Sequence, residues 1–340
     1  MGKFRQRLSR AAIACLCAFA TSGISVSDSA LATYAPPVPP IQRCMNLGGA
    51  LEADVEGEWG YTIRNEDIDR LKAAGFDTIR LPVKWSAHAG TWGRYKLDKK
   101  MLERTDAIIN HALSQDMNII LNVHHYQEIN EHPWRHERRL EGIWKHLAAH
   151  YADYPDRLIF EVLNEPNGRM TPKRTDSLNK RIVARMRKSQ PNRWIILATA
   201  EWGSLQGLLE SQPPPDARII LSWHYYEPFT FTHQGAEFFD PTPPTGTRWG
   251  NTADLDRLSK DFRLAASFRD AQRRPLLLGE FGVFDGVPVD ERAKWISAVR
   301  KQAEANQFGW CHWGLSSNFQ AYDTEQEAWL EPIRAALLGD

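Results

Sequence analysis

Two acidic residues stand where a carboxylate is expensive. Glu165 ends the run Val162-Leu163-Asn164-Glu165-Pro166 and Glu280 ends the apolar part of Leu278-Gly279-Glu280-Phe281-Gly282, each at the point where a strand would stop. A charge left there needs a partner or a task. No serine or cysteine nucleophile motif accompanies them, so the pair suits chemistry at an acetal. One carboxyl protonates the leaving oxygen and the other meets the oxocarbenium-like centre. A carboxyl bonded to an arginine and a tyrosine hydroxyl is held ionised, as a nucleophile should be; one kept protonated suits a general acid. Arg80 and Tyr226 are the candidates for holding Glu280, which leaves Glu165 as acid and then base. Asn164 is placed to bond a sugar 2-hydroxyl.

The elements that must position these groups follow from periodicity. Short apolar runs at 44–49, 78–83, 118–126, 158–166, 194–202, 219–228, 275–282 and 308–315 alternate with longer amphipathic stretches, such as Leu140, Ile143, Trp144 and Leu147. That alternation marks a parallel sheet covered by helices. Eight β-then-α units, with no glycine-rich phosphate loop after the first, predict an α/β fold of the (β/α)8 TIM-barrel type in one domain over residues 44–340. The helix within 204–211 carries the weakest pattern. In such a barrel the site lies at the C-terminal ends of the strands. Arg80 in run two, His124 and His125 in run three, His224 and Tyr226 in run six and Trp313 in run eight all reach that rim. One strand-end histidine is more often a satisfied core group. Their coincidence on one rim is what points to a site.

Composition narrows the class. The 340 residues hold 42% hydrophobic and 25% charged residues, enough for one domain of barrel size. Lys+Arg and Asp+Glu both number 42, so no basic excess suggests nucleic acid. Thirteen Trp residues are unusual; most must be structural, but Trp85, Trp134, Trp202 and Trp313 are candidate platforms for sugar rings, with a core role the alternative for all but Trp313. Lys3, Arg5, Arg7 and Arg10 precede an apolar run over 11–20 and the triplet Ala30-Leu31-Ala32, which reads as a secretory signal (1–32) cleaved after Ala32. A Pro-rich lead-in over 33–43 follows. No later stretch reaches the ~20 apolar residues of a membrane span. A secreted or periplasmic monomer, free of the membrane after cleavage, is expected. Cys44 and Cys311 remain after cleavage, on runs that closure would make neighbours. The expectation is two buried thiols, with a bridge as the alternative.

These residues resemble glycoside hydrolase family 5, the retaining endo-β-glycanases of cellulase and mannanase type. The carrying segments are Arg80-Leu81-Pro82, Asn122-Val123-His124-His125-Tyr126, Leu163-Asn164-Glu165-Pro166, His224-Tyr225-Tyr226, Gly279-Glu280-Phe281-Gly282 and Trp313. Small bacterial endoglucanases that also accept mannans are the nearest subgroup, through Ala50-Leu51-Glu52-Ala53, Thr199-Ala200-Glu201-Trp202-Gly203 and the stretch 228–235. The resemblance implies Glu165 as acid/base and Glu280 as nucleophile. It also implies sugar contacts from Glu52, His124, His125, Asn164, His224, Tyr226, His233 and Trp313. Gly49 and Gly314 depart from the subgroup, standing where an Asn and a Glu are expected, and both bear on the choice between glucan and mannan.

Segment 223–250, rich in Phe and Pro, is long for a βα connection and is expected to wall or cover the cleft. Glu201 is read as an orienting residue. A metal-dependent hydrolase is the first rival, but the chain lacks a His-x-His in run one and a His-Glu-x-x-His helix. His132/His136 and His146/His150 lie before or within the third helix. No metal or other cofactor is therefore expected. A non-catalytic glycan-binding protein is the second rival. β-1,4-Glucan is the first choice of substrate, with mannan, mixed-linkage glucan and exo action left open.

Overall fold

A computed structural model describes residues 40–339, so the expected signal and residues 33–39 of the lead-in lie outside the described residues. Strands β1 (Arg43–Asn46), β2 (Thr78–Val83), β3 (Asn118–Val123), β4 (Leu158–Glu161), β5 (Ile195–Ala198), β6 (Ile219–His224), β7 (Leu276–Phe281) and β8 (Gly309–His312) close a parallel barrel in chain order. Around it run α1 (Asn65–Ala73), α2 (Lys99–Ser114), α3 (Gln127–Glu131), α4 (Pro133–His150), α5 (Pro172–Met186), α6 (Leu205–Glu210), α7 (Phe229–Thr232), α8 (Thr252–Gln272), α9 (Val289–Ala305) and α10 (Glu331–Leu338). A small antiparallel ribbon, β9 (Tyr322–Asp323) with β10 (Ala328–Trp329), follows the last barrel strand. This is the (β/α)8 barrel that the alternation predicts.

Local signals start the helices. Asp98 caps α2 by accepting from Lys100 N at 2.7 Å and Met101 N at 3.1 Å. Pro133 opens α4, where its missing N–H costs nothing. The helices bury apolar stripes, for example Ile68 and Leu71 of α1, against the outer face of the barrel in one large core.

A second, smaller core fills the barrel floor: Cys44, Ile120, Ile159, Ile196, Ile220, Leu277 and Cys311 meet there. Side chains alternate along a strand, so the next inward layer lies two residues on. That layer is polar: Asn46, Arg80, Asn122, Glu161 and Ser222, all fully buried, with Gly279 between them. The strands thus supply an apolar plug below and a polar tier above it, on which the site is built.

Cys44 and Cys311 are register partners across the β1–β8 seam, with Cα atoms 4.1 Å apart, and are joined by a disulfide. This corrects the expectation of two free thiols. Closure of the barrel brings two inward-facing cysteines to the same floor layer, which the sequence spacing alone does not reveal.

Candidate active site

Arg80 is the hub. Its side chain is fully buried on β2, and every N–H of its guanidinium is engaged. Nε and Nη2 donate to Glu161 at 2.6 and 2.7 Å, Nη1 to Asn46 Oδ1 at 2.8 Å and Glu280 Oε1 at 2.6 Å, and Nη2 also to Asn164 Oδ1 at 2.7 Å. Its two carboxylate partners satisfy a buried cation that would otherwise be prohibitive. Asn46 in turn donates to the carbonyls of Gly279 and His312, tying β1 to β7 and β8.

Glu280 reaches this cluster through an irregularity. Strict alternation from inward-facing Leu277 and Gly279 would turn Glu280 toward the helices. The β6–β7 register slips by one residue, pairing Trp223 with Leu278 but His224 with Glu280, and the bulge re-aims the carboxylate. Gly279 is required there, because a Cβ would collide with Ser222 Oγ. Tyr226 donates its hydroxyl to Glu280 Oε2 at 3.1 Å, while the Thr232 hydroxyl fixes the Tyr226 carbonyl at 2.6 Å. Burial, followed by the nearby carboxylates, pushes the Tyr226 phenol well above its ordinary range, so it remains a donor.

Glu165 follows β4 by four residues, in the left-handed region at φ 45°. His125, Glu201 and Trp202, after β3 and β5, share that region at φ 46°, 54° and 55°. Such strain collects where side chains must be aimed rather than packed. His224 Nδ1 lies 2.7 Å from Glu165 Oε1 and 3.6 Å from Glu280 Oε2. Burial opposes charge on this imidazole, but Glu280 and Glu165 outweigh it and raise its pKa. The Glu165 side chain is 27% exposed and that of Glu280 only 6%, so one is open to solvent and the other shielded.

Around this pair stands the rim. His124 bonds Asn122 Oδ1 at 2.8 Å and stacks on Trp313 with centroids 5.4 Å apart; burial pushes it well below the ordinary histidine range. His125 is exposed beside it and meets Trp59 at 5.9 Å. His233 stacks on Phe229 at 4.1 Å, stands 5.0 Å from Tyr226, and is lowered to about 4 by burial. Glu52 is buried, and its carboxylate accepts from Gly49 N and, at 3.0 Å, from Ala50 N. Gly48 lies between Glu52 and the Trp313 indole.

Gly49 and Gly314 face one seam. A Cβ on Gly49, at φ 88°, would meet the Ser316 carbonyl at 3.2 Å; one on Gly314 would meet Ser317 Oγ at 3.1 Å and the Asn46 carbonyl at 3.2 Å. Both departures therefore accompany a close approach of the loops after β1 and β8.

The structure separates the proposed platforms. Trp313 lies at the rim, whereas Trp85 is wholly buried core. Trp134 and Trp202 are exposed at 53% and 56%. Glu201 bonds Ser204 through its backbone carbonyl, and no side-chain bond to the cluster supports an orienting role among the described residues. Segment 223–250 forms a packed wall: Gln234 accepts from Gly246 N and Thr247 N and donates to the Phe231 and Thr247 carbonyls.

Sequence reasoning missed Glu161 and Asn46, both of which bond Arg80. The available signal was Arg80 itself, since an arginine inside an apolar strand demands more partners than one carboxylate. It also missed Trp59, exposed beside His125. Glu165, His224 and Glu280 each offer an atom within 4.8 Å of the others, a grouping able to hold a cation, yet all three are already bonded within the cluster.

Known proteins resemble this chain in sequence and fold. Endoglucanase H of Acetivibrio thermocellus is 32% identical over 268 residues, 79% of this chain but only 29% of that relative, so the chain spans less than a third of it. Endoglucanase A of Ruminococcus albus is 30% identical over 286 residues, 76% of this chain and 77% of its own length. Thermotoga maritima Cel5A, solved in complex with cellobiose, superposes with a TM-score of 0.86 at 36% identity, covering 88% of this chain and 97% of that one. Residues 45–318 match the family described as Cellulase (glycosyl hydrolase family 5), and the chain belongs to that family of glycoside hydrolases.

Proposed function

We propose that this protein is an exported endo-β-1,4-glucanase that works by double displacement. Glu280 attacks the anomeric carbon as Glu165 gives its proton to the departing glycosidic oxygen, leaving a glycosyl ester on Glu280. Glu165, now a carboxylate, takes a proton from water; that water's oxygen attacks the same carbon and Glu280 departs unchanged. The observation that carries this reading is the spacing of the two acids. Their nearest oxygens lie within 4.8 Å, which suits the ~5–5.5 Å carboxyl separation of retaining enzymes and leaves no room for the water an inverting one holds.

Each role has support in the surroundings. Glu280 has both oxygens already accepting, from Arg80 and Tyr226, so it is aimed and shielded from water. Glu165 is open to the incoming water and is held by a hydrogen bond to His224 Nδ1 at 2.7 Å. Asn164 gives its oxygen to Arg80, which leaves its amide nitrogen to donate to a sugar hydroxyl. Trp313, backed by His124, offers a flat face to a sugar ring. Export rests on the basic-then-apolar start of residues 1–32. Mannan is the second substrate, because the Thermotoga maritima relative was also solved with mannotriose.

The deciding experiment assays secreted, periplasmic and cytosolic fractions on soluble β-1,4-glucan and mannan, with product anomers followed by NMR. Retained stereochemistry is expected, with turnover falling about 10²–10⁴-fold in Glu165→Gln and lost in Glu280→Gln while glycan binding survives. Inverted product would overturn the mechanism. Binding without turnover in the parent chain would make it a glycan-binding protein, and activity confined to the cytosol would remove export.

A further inference from the structure

A concavity of about 800 Å³ lies on the outer wall, between the loop leading into α2 and the pair α4–α5, and no residue of the catalytic cluster lines it. It continues into a second of about 410 Å³ along the same helices, with Glu141, Lys145, His146 and Arg185 lining both. The groove is built rather than incidental. Tyr95 packs its ring on Gly142, where any Cβ would collide with it, and His146 Nε2 donates to the Arg94 carbonyl at 2.6 Å.

Its lining follows helical spacing. Trp134, Arg138, Glu141 and Lys145 recur at three or four residues on one face of α4, a stripe of ~16 Å. Arg181 and Arg185 face them from α5. The acids of the groove are already engaged: Glu137 pairs with Arg174 and Arg181, and Glu141 with Arg181 and Arg185. Arg138 and Lys145 are exposed and have no carboxylate partner among the described residues. In a chain whose charges balance overall, this strip is a local concentration of positive charge beside an indole that is 53% exposed.

We infer that this groove is a second glycan site, one that takes an acidic polysaccharide such as a polyuronate. Two features select that class. Spaced cations answer carboxylates carried along a strand, and Trp134, its ring backed by the Arg169 guanidinium 5.3 Å from the centroid and its remainder exposed to the groove, answers the apolar face of a sugar ring. Pro133 starts α4 on the barrel face that holds the catalytic rim, so a strand in the groove is held beside the cleft. The choice of a sugar polymer rests on the glycanase reading; the groove's charge does not.

Native gel electrophoresis of the full chain carrying Glu280→Gln, with polygalacturonate or neutral hydroxyethylcellulose in the gel, tests this. Polygalacturonate is expected to retard the protein, less so as salt rises. The added pair Arg138→Glu and Lys145→Glu should weaken that retardation about tenfold and leave the hydroxyethylcellulose shift and the melting temperature as they were. Trp134→Ala should weaken it too. The proposal is overturned by no retardation in polygalacturonate, by retardation that either variant leaves intact, or by equal retention in gels containing duplex DNA, which would mark a general polyanion surface. Failure of the glycanase reading would show separately, as no turnover of hydroxyethylcellulose by the parent chain.

Discussion

Glu52 shows how a buried acid can be a structural liability with a measurable pH signature. Burial raises its pKa from 4.5 to about 7, although the N–H groups of Gly49 and Ala50 and its own backbone pull the other way. A group whose folded pKa is raised contributes stability that is complete below the unfolded value and is lost as pH climbs through the folded one. Unfolding free energy should therefore fall by up to about 3 kcal/mol between pH 4.5 and pH 8 on this account. Asp285, raised to about 6 by burial, adds in the same direction but has finished titrating by then. His224 contributes equally to parent and variant. Urea titrations of Glu52→Gln at pH 5 and pH 8 should give a flatter dependence than the parent. Identical slopes would mean that Glu52 is charged at both. The same residue marks a limit of sequence reading: its placement behind Gly48 and Trp313 depends on a loop path that no spacing encodes.

At the scale of elements, the strands were legible and their ends were not. The run at 78–83 coincides with β2, yet those at 118–126, 158–166 and 219–228 outlast β3, β4 and β6 by three to five residues. The excess is the site. His124, Glu165 and Tyr226 sit in rim segments that stay packed after the strand pairing ends, with His124, Tyr126, Val162, Leu163 and Tyr225 all buried. α5 follows the alternation: Leu178, Ile182, Val183 and Met186 are buried at helical spacing, with lysines and arginines between them on the other face. The bulge that turns Glu280 inward is invisible in the sequence except as Gly279. α6 offers a direct test of a close approach, because a Cβ on Gly207 would collide with the Ala200 carbonyl. Gly207→Ala should destabilise the protein by about 1–3 kcal/mol through displacement of α6. The loss is read from the thermal midpoint, and an unchanged midpoint would show that the helix yields freely.

At the scale of the molecule, the number and order of strands could be read because alternating β and α units leave a closed parallel barrel little freedom of topology. The covalent closure could not. The seam between β1 and β8 holds three register pairs, and the disulfide occupies the middle one. It spans a sequence separation of 267 residues, for which chain-entropy reasoning sets an upper value of about 5–6 kcal/mol and loss of a native bridge commonly costs about 2–5 kcal/mol. Urea midpoints with and without dithiothreitol, and for Cys44→Ala with Cys311→Ala, should show that loss; coincident curves would deny the bridge a role in stability. The position of this bond has a further consequence should the chain be cut. Any single cut between Cys44 and Cys311 leaves a two-chain molecule whose halves are still covalently joined at the barrel floor, so a clipped loop keeps Glu165 and Glu280 in one covalent molecule.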